Sequence, residues 1–320
     1  MTSSQEQEDN LPQTCRPDEV VASLDFGSNT VGYLIACLGR ESVEFLGRGS
    51  RFVRLAEGFE KTPRINNSAL ERLRNWLLEM KRILGEAGAG RLRAVGTEAV
   101  RRAQNQKELK ELVQALLGVE VEVISGPEEG RLTYHGVRFG YPAGPLSVID
   151  VGGGSTEVVL GAPEGADCKS PETLSLDLGG VTLTERFGED YSALYGAVLH
   201  RLQPHQFRIE PAPHLTTLGG TGANLAMIDQ GEKPLTDGRL EGHVLSRERI
   251  RTLRDRIGAC SPEARVRDFG LPKGRADVVV AGLAILEGVM DHLGFTQVRT
   301  SRYALRHGVI WSMLQTTLGR

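Results

Sequence analysis

Residues 146–160 read LSVIDVGGGSTEVVL, and no other stretch restricts the fold and the chemistry of this chain as tightly. An apolar run (Leu146, Val148, Ile149, Val151) carries Asp150 near its end. Gly152, Gly153 and Gly154 follow, then Ser155 and Thr156, and after Glu157 a second apolar run, Val158 to Leu160. The pattern predicts strand, tight turn, strand: a β-hairpin. Consecutive glycines at a hairpin tip allow positive φ and close approach of the backbone to a ligand. Their N–H groups can form a concavity for phosphate oxygens. Asp150 and Glu157 flank that cup, where a hard divalent cation with oxygen ligands could join them to the phosphate. The alternative is an ordinary glycine-rich hairpin with an acid on each side.

The motif occurs twice. Residues 20–35 read VVASLDFGSNTVGYLI. An apolar strand again ends in an acid, Asp25, followed by Gly27 and the small polar residues Ser28, Asn29 and Thr30 before another apolar run. Two copies of strand–Asp–x–Gly–polar–strand suggest two similar half-domains that face each other. A phosphate chain held between two such hairpins, with an acid from each, is a coherent site.

With 320 residues the chain is long enough for two domains and a sizeable core. Hydrophobic content of 40% and charged content of 25% fit a soluble globular protein. No apolar stretch approaches the ~20 residues of a membrane span. The polar start of the chain reads as a disordered tail over residues 1–18, not a secretory signal. Cys15, Cys37, Cys168 and Cys260 are scattered, which argues against a disulfide framework or zinc site and for a reducing cytoplasm. A formal net charge of −3 leaves no basic footprint for nucleic acid, so a polyanionic substrate needs locally clustered Arg and Lys.

Strands are expected around the first loop and over 41–54. An amphipathic helix follows over 68–84, with Ser68 and Glu71 as its capping box and Trp76 in the core. A short strand at 92–95 leads through GTEAVR into a helix reaching about Leu117. Another strand spans 119–125, and Pro127 opens a helix over 128–140. After the 146–161 hairpin come a loop over 161–171, a strand at 173–178, a helix at 188–200 and a strand at 214–218. That last strand runs into GGTGANLAMI, 219–228. Helices are expected at 247–257, 276–293 and 305–318, with a strand at 297–300. Strands alternating with helices predict an α/β architecture.

LDFGSNT (24–30), VGTEAVRRAQN (95–105), ISGPEEGRL (124–132), VIDVGGGSTEVV (148–159) and RADVVVAGLAIL (275–286) together resemble the exopolyphosphatase and guanosine pentaphosphate phosphatase (Ppx/GppA) family. That family belongs to the actin, sugar kinase and Hsp70 ATPase superfamily. The resemblance implies two actin-like (ribonuclease H-like) domains with mixed sheets flanked by helices and a cleft between them. It places one domain at 19–126 plus 303–320 and the other at 127–302, the short two-domain form.

The resemblance also implies roles. Glu129, second acid of the Glu-Glu pair, would orient and deprotonate the attacking water. The competing reading makes Glu128 and Glu129 first-turn acids favoured by the helix dipole. Arg101 would reach the cleft, while Arg102 would be a solvated surface charge. Gly27, Ser28, Asn29 and Thr30 would bind phosphate together with Gly152, Gly153, Gly154, Ser155 and Thr156. Gly220, Thr221 and Gly222 of the LGGTGAN turn would add an anion-binding helix start, with Arg275 from the second domain. Asp25, Asp150 and Glu157 would hold Mg²⁺ or another divalent cation, directly or through water, unless Glu157 pairs with an arginine. His200 and His205 read as ordinary surface or loop histidines. In SRYALRHG (301–308), Ala304 and His307 stand where the family tends to have glycine and glutamate, which bears on substrate choice.

The function expected is a Mg²⁺-dependent phosphohydrolase that releases terminal orthophosphate from inorganic polyphosphate or guanosine pentaphosphate. A phosphotransferase of the same superfamily and a non-catalytic sensor of polyphosphate or guanosine tetraphosphate-type alarmones remain alternatives. No nucleic-acid or membrane partner is expected, and a homodimer is compatible with the pattern.

Overall fold

The computed structural model describes residues 15–16, 19–39, 42–161, 170–231, 237–317 and 319. The expected tail therefore lies, apart from Cys15 and Arg16, outside the described residues, as do Cys168 and most of the 161–171 loop. The first half contains β1 (Val20–Phe26), β2 (Thr30–Leu38), β3 (Val43–Phe52), α1 (Asn67–Glu86), β4 (Arg91–Gly96), α2 (Glu98–Arg102), α3 (Gln106–Leu117), β5 (Val121–Val123) and α4 (Gly126–Val137). The second half begins with β6 (Leu146–Val151), β7 (Thr156–Gly161), β8 (Glu172–Leu176), α5 (Gly180–Phe187), α6 (Tyr191–Leu202), β9 (Leu215–Thr217) and α7 (Gly219–Gln230). It continues with α8 (Asp237–Leu240), β10 (Val244–Ser246), α9 (Arg247–Gly258), α10 (Pro262–Phe269), α11 (Lys273–Ala276), α12 (Val279–Leu293), β11 (Gln297–Thr300) and α13 (Leu305–Thr317).

Two sheets form, and they share one topology. The first has the order β3-β2-β1-β4-β5, the second β8-β7-β6-β9-β11 with β10 added at its edge. In each, the hairpin strands pair antiparallel and the later strands run parallel to the first. This is the duplicated actin-like arrangement that the paired motifs predict. The strands β1 and β6 are buried almost throughout, as expected for parallel-paired strands covered on both faces. One core lies under α1 and α3 and includes Trp76, edge-on to Phe26 at 5.9 Å. The other surrounds α12, which is apolar nearly all round and buried along its length. The chain then returns to the first sheet: Ile310 and Met313 of α13 cover Val21, Leu34, Ala36 and Leu38 of β1 and β2.

Several local expectations change. Asn66, not Ser68, caps α1: it is extended, its side chain accepts from Ala69 N, and Ser68 Oγ donates to Asn66 Oδ1 at 2.7 Å. The helix expected from GTEAVR to Leu117 is broken at 103–105. There Asn105 binds the Ile65 backbone in both directions, at 2.9 and 3.1 Å, and the chain turns to meet that loop. The helix expected over 188–200 is α6, and a second, unexpected helix, α5, precedes it and ends at Gly188, whose φ is +62°. Arg102 is not a free surface charge; it bridges Glu98 and Glu60. Cys15 and Cys37 form a disulfide, contrary to the expectation from spacing, because β2 carries Cys37 back beside the start of β1. That pairing removes the cysteine-based ground for a reducing compartment. Among the described residues no helix is long and apolar enough to cross a membrane.

Candidate active site

The two hairpins close with the same turn. Gly27 N donates to Thr30 O at 3.0 Å, and Gly152 N donates to Ser155 O at 2.9 Å. Their tips meet. A Cβ on Gly153 would press on Ser28 and Asn29, and one on Gly154 would overlap the Glu98 carboxylate, so only glycine fits the contact. Ser28 Oγ donates to Glu98 Oε2 at 2.8 Å and fixes the first tip from below. Behind the second tip, α5 begins. Gly180 N donates to Gly152 O at 2.9 Å and Val181 N to Gly153 O at 2.8 Å. The first-turn donors of α5 thus satisfy the hairpin's carbonyls, which leaves amides of that tip to an anion.

Between the sheets lies a cleft of about 340 Å³. It is lined by Asp25, Gly27, Ser28, Asn29 and Thr30 on one side and by Asp150, Gly152, Gly153, Gly154 and Ser155 on the other. Glu129 lines it as well, as do Gly219, Gly220 and Arg275. Other expected residues stand back. Thr156 Oγ1 donates to Leu178 O at 2.7 Å and anchors the hairpin instead of facing the cleft. Thr221 lines a small cavity that shares Asn29, Gly152, Gly153 and Arg275 with the cleft, and Gly222 packs against Thr217. Arg101 lies behind Glu129, with Nη1 donating to Glu129 Oε2 at 2.9 Å and to Ile124 O at 2.7 Å.

Glu129 reaches the cleft because α4 is seated closely on the second sheet. Ser125 caps the helix by accepting from Glu128 N. A Cβ on Gly126 would overlap Ser175 of β8, and one on Gly130 would meet Thr173 and Val159. The two acids of the pair then part. Glu128 turns outward and pairs with Arg131 at 2.8 Å; Glu129 turns in and is 7% exposed. Burial pushes the Glu129 carboxyl up to about 8, with Arg101 opposing and Asp150 and Asp25 adding to the rise. The first-turn, dipole-only reading thus holds for Glu128 and fails for Glu129.

Asp25 and Asp150 are half-buried in the cleft wall, and loss of hydration raises each to about 6. Arg306 opposes the rise at Asp25; Arg275 and Arg306 oppose it at Asp150, which also feels Asp25. Two partly buried carboxylates, one from each hairpin, with Asp25 raising Asp150, form an oxygen donor set suited to a hard divalent cation. Among the described residues Asp25, Asp150 and Glu157 do not form a set whose ligand oxygens all lie within 4.8 Å of one another. Glu157 does not pair with an arginine either. It accepts from Ser175 Oγ at 2.9 Å, and burial and the neighbouring Glu129 push its carboxyl well up.

The cleft holds residues that the motif reading passed over. Arg48, Ser301, Arg302, Arg306 and His307 line it beside Ala304. His307 Nδ1 accepts from Ala304 N at 3.2 Å, and burial plus nearby arginines lower the imidazole to about 3, so the ring is neutral. Phe45 and Tyr303 each pack edge-on against it at 4.9 Å. The sequence signal was SRYALRHG itself, read for its departures at 304 and 307 and not for its arginines. His200 is exposed and His205 only lends its carbonyl to His292, so neither belongs to a site.

The Ppx/GppA phosphatase family model matches residues 34–317 of this chain. The chain belongs to the Ppx/GppA family. The crystal structure of the Aquifex aeolicus member is 30% identical, with a TM-score of 0.77, over 93% of this chain and 98% of that one. An exopolyphosphatase from Cytophaga hutchinsonii is 26% identical, with a TM-score of 0.83, over 93% and 98%. An exopolyphosphatase-like protein is also 26% identical, with a TM-score of 0.86, over 95% of this chain and all of that chain. This Ppx/GppA chain therefore shares the two-domain fold of these proteins along nearly its whole described length.

Proposed function

We propose that this protein hydrolyses the terminal phosphoanhydride of inorganic polyphosphate, with guanosine pentaphosphate as the other candidate substrate, and releases orthophosphate. One observation carries the reading: Glu129, Asp25, Asp150 and both glycine-tipped hairpins line a single cleft. The hairpin amides hold the terminal phosphoryl oxygens, while the Ser28 and Ser155 hydroxyls brace the two tips through Glu98 and Glu157. Asp25 and Asp150 are the residues to hold Mg²⁺, which when bound neutralises charge on the transferred and leaving phosphates.

Glu129 is placed to aim the water. Arg101 holds Oε2, so Oε1 remains to accept a water proton. The water oxygen bonds to phosphorus, the bridging P–O bond breaks, and the shortened chain leaves with the electron pair. Glu129 takes the proton. A base raised towards working pH suits this task.

The test is phosphate release from long-chain polyphosphate and from guanosine pentaphosphate, side by side, with and without Mg²⁺. Release from at least one, abolished by chelation, is expected. Tight binding of either compound with no phosphate released over hours would replace hydrolysis by a sensing role.

A further inference from the structure

The cross-strand partner of Asp25 is Gly32, and the space a side chain would fill there belongs to Arg306: a Cβ on Gly32 would overlap Arg306 Nη1. Arg306 stands in the first turn of α13 and is tied at both ends. Its carbonyl accepts from Ser23 Oγ of β1 at 3.0 Å, and its Nη1 donates to Gly49 O of β3 at 2.8 Å. Five N–H donors belong to a guanidinium. Among the described residues, Gly49 O is the acceptor bonded to that of Arg306, and the group lines the cleft. Arg275 is its counterpart in the other half, seated where a Cβ on Gly220 would be.

Charged groups surround the cleft. Glu129 is acted on by Arg101, Asp150 and Asp25, whereas Arg306 and Arg275 act on the Asp pair. Arg48 and Arg302 line the cleft with Arg306, and the rings of Phe45 and Tyr303 pack edge-on against His307. Guanidinium groups thus stand beside the Asp pair as well as behind Glu129. Guanidinium groups suit a row of phosphate oxygens, and a bidentate grip is available to Arg306 where a lysine would offer a point charge.

We propose that Arg306, seated in the notch left by Gly32, is a specificity-determining residue that grips phosphoryl groups of the substrate beyond the reacting one, and so selects for extended polyphosphate chains. This rests on the hydrolase reading above. It makes Gly32 a residue with a function: the glycine is what admits the arginine.

The experiment uses the full chain and long-chain polyphosphate, with Arg306→Gln, Arg306→Lys, Gly32→Ala and the Gly32→Ala/Arg306→Gln double variant. Loss of a charged hydrogen-bonding contact corresponds to a KM increase of about 10- to 100-fold. Arg306→Gln is expected to show that increase with a smaller change in kcat, and Arg306→Lys to restore part of it. Inhibition by orthophosphate, which needs only the reacting end, should stay within about twofold. Gly32→Ala should raise KM by displacing the guanidinium and should add nothing in the Arg306→Gln background. A KM unchanged in Arg306→Gln, equal losses for orthophosphate and the long chain, or multiplying effects in the double variant would overturn the assignment. Should Arg306→Gln fail to fold, Gly32→Ala alone decides by the same KM criterion. Equilibrium binding of the long chain to Glu129→Gln separates the two levels: no binding and no wild-type turnover sinks the hydrolase reading itself, while binding left intact by Arg306→Gln sinks only the role of Arg306.

Discussion

The two hairpins have one backbone and opposite chemistry. Asp25 and Asp150 occupy the same place in the same turn, but Asp150 faces Glu157 across its strand pair and Asp25 faces Gly32. In the second half that position adds a carboxylate next to Glu129. In the first half it adds empty space, and a cation from α13 fills it. A duplicated scaffold thereby acquires direction. Around Glu129 and Glu157 the carboxyls are raised, fit to manage a water and its proton; beside Asp25 stands Arg306, fit to hold an anion.

The contrast breaks most sharply at Glu129. Glu129→Gln should lower kcat for phosphate release by at least ~100-fold with little change in polyphosphate binding. Unchanged turnover would remove Glu129 from the mechanism and leave the raised carboxyls without a function.

A second prediction concerns stability. Asp150 sits at about 6 in the fold against 3.8 for the free group. A carboxyl raised by folding contributes stability below the unfolded pKa, and that stability is lost as pH climbs through the folded value. Without a bound cation, Asp150→Asn should therefore gain up to about 3 kcal/mol at pH 8 and nothing below pH 4. Thermal melts across that range should show a rise of roughly 5 °C at the alkaline end. An equal gain at both extremes would mean that burial of the charge is not the cause.

The pH profile sharpens the same comparison. Hydrolysis needs Glu129 ionised, so the rate should climb with pH towards about 8. Arg101 holds that value down, and Arg101→Gln should move the limb up by about one pH unit, near tenfold in rate at pH 7. A limb that stays put would disconnect Arg101 from the base. The smallest effect is expected at Glu157. Removing the like charge in Glu157→Gln should shift the limb downward by less than about one unit, a few-fold at most. A loss as deep as that of Glu129→Gln would instead make Glu157 the base.

Most of the duplicated architecture was legible, because its signals are local: an apolar strand, an acid, a glycine turn, another strand. Glu129 was singled out only by the resemblance of ISGPEEGRL to the family; the structural reason it faces the cleft is that Gly126 and Gly130 let the helix sit down on β7 and β8. What escaped was long-range. Nothing near Gly32 in the chain announces Arg306, and nothing near Cys15 announces Cys37 except the return of β2. α5 had no counterpart among the expected elements, because what seats its start at Gly179-Gly180 is the pair of carbonyls at Gly152 and Gly153. Thr156 looked like a ligand by composition and proved to be an anchor, since strand alternation points its hydroxyl at Leu178.

The return of α13 to the first sheet has a consequence for synthesis. Ser23 waits 283 positions for the carbonyl of Arg306, and the apolar stripe of β1 and β2 waits equally long for Ile310 and Met313. On the ribosome the first sheet therefore emerges with one face bare while the entire second lobe is still being made. That face is where a nascent chain of this kind offers itself to chaperones, and closing it is the same event that delivers Arg306 to the cleft.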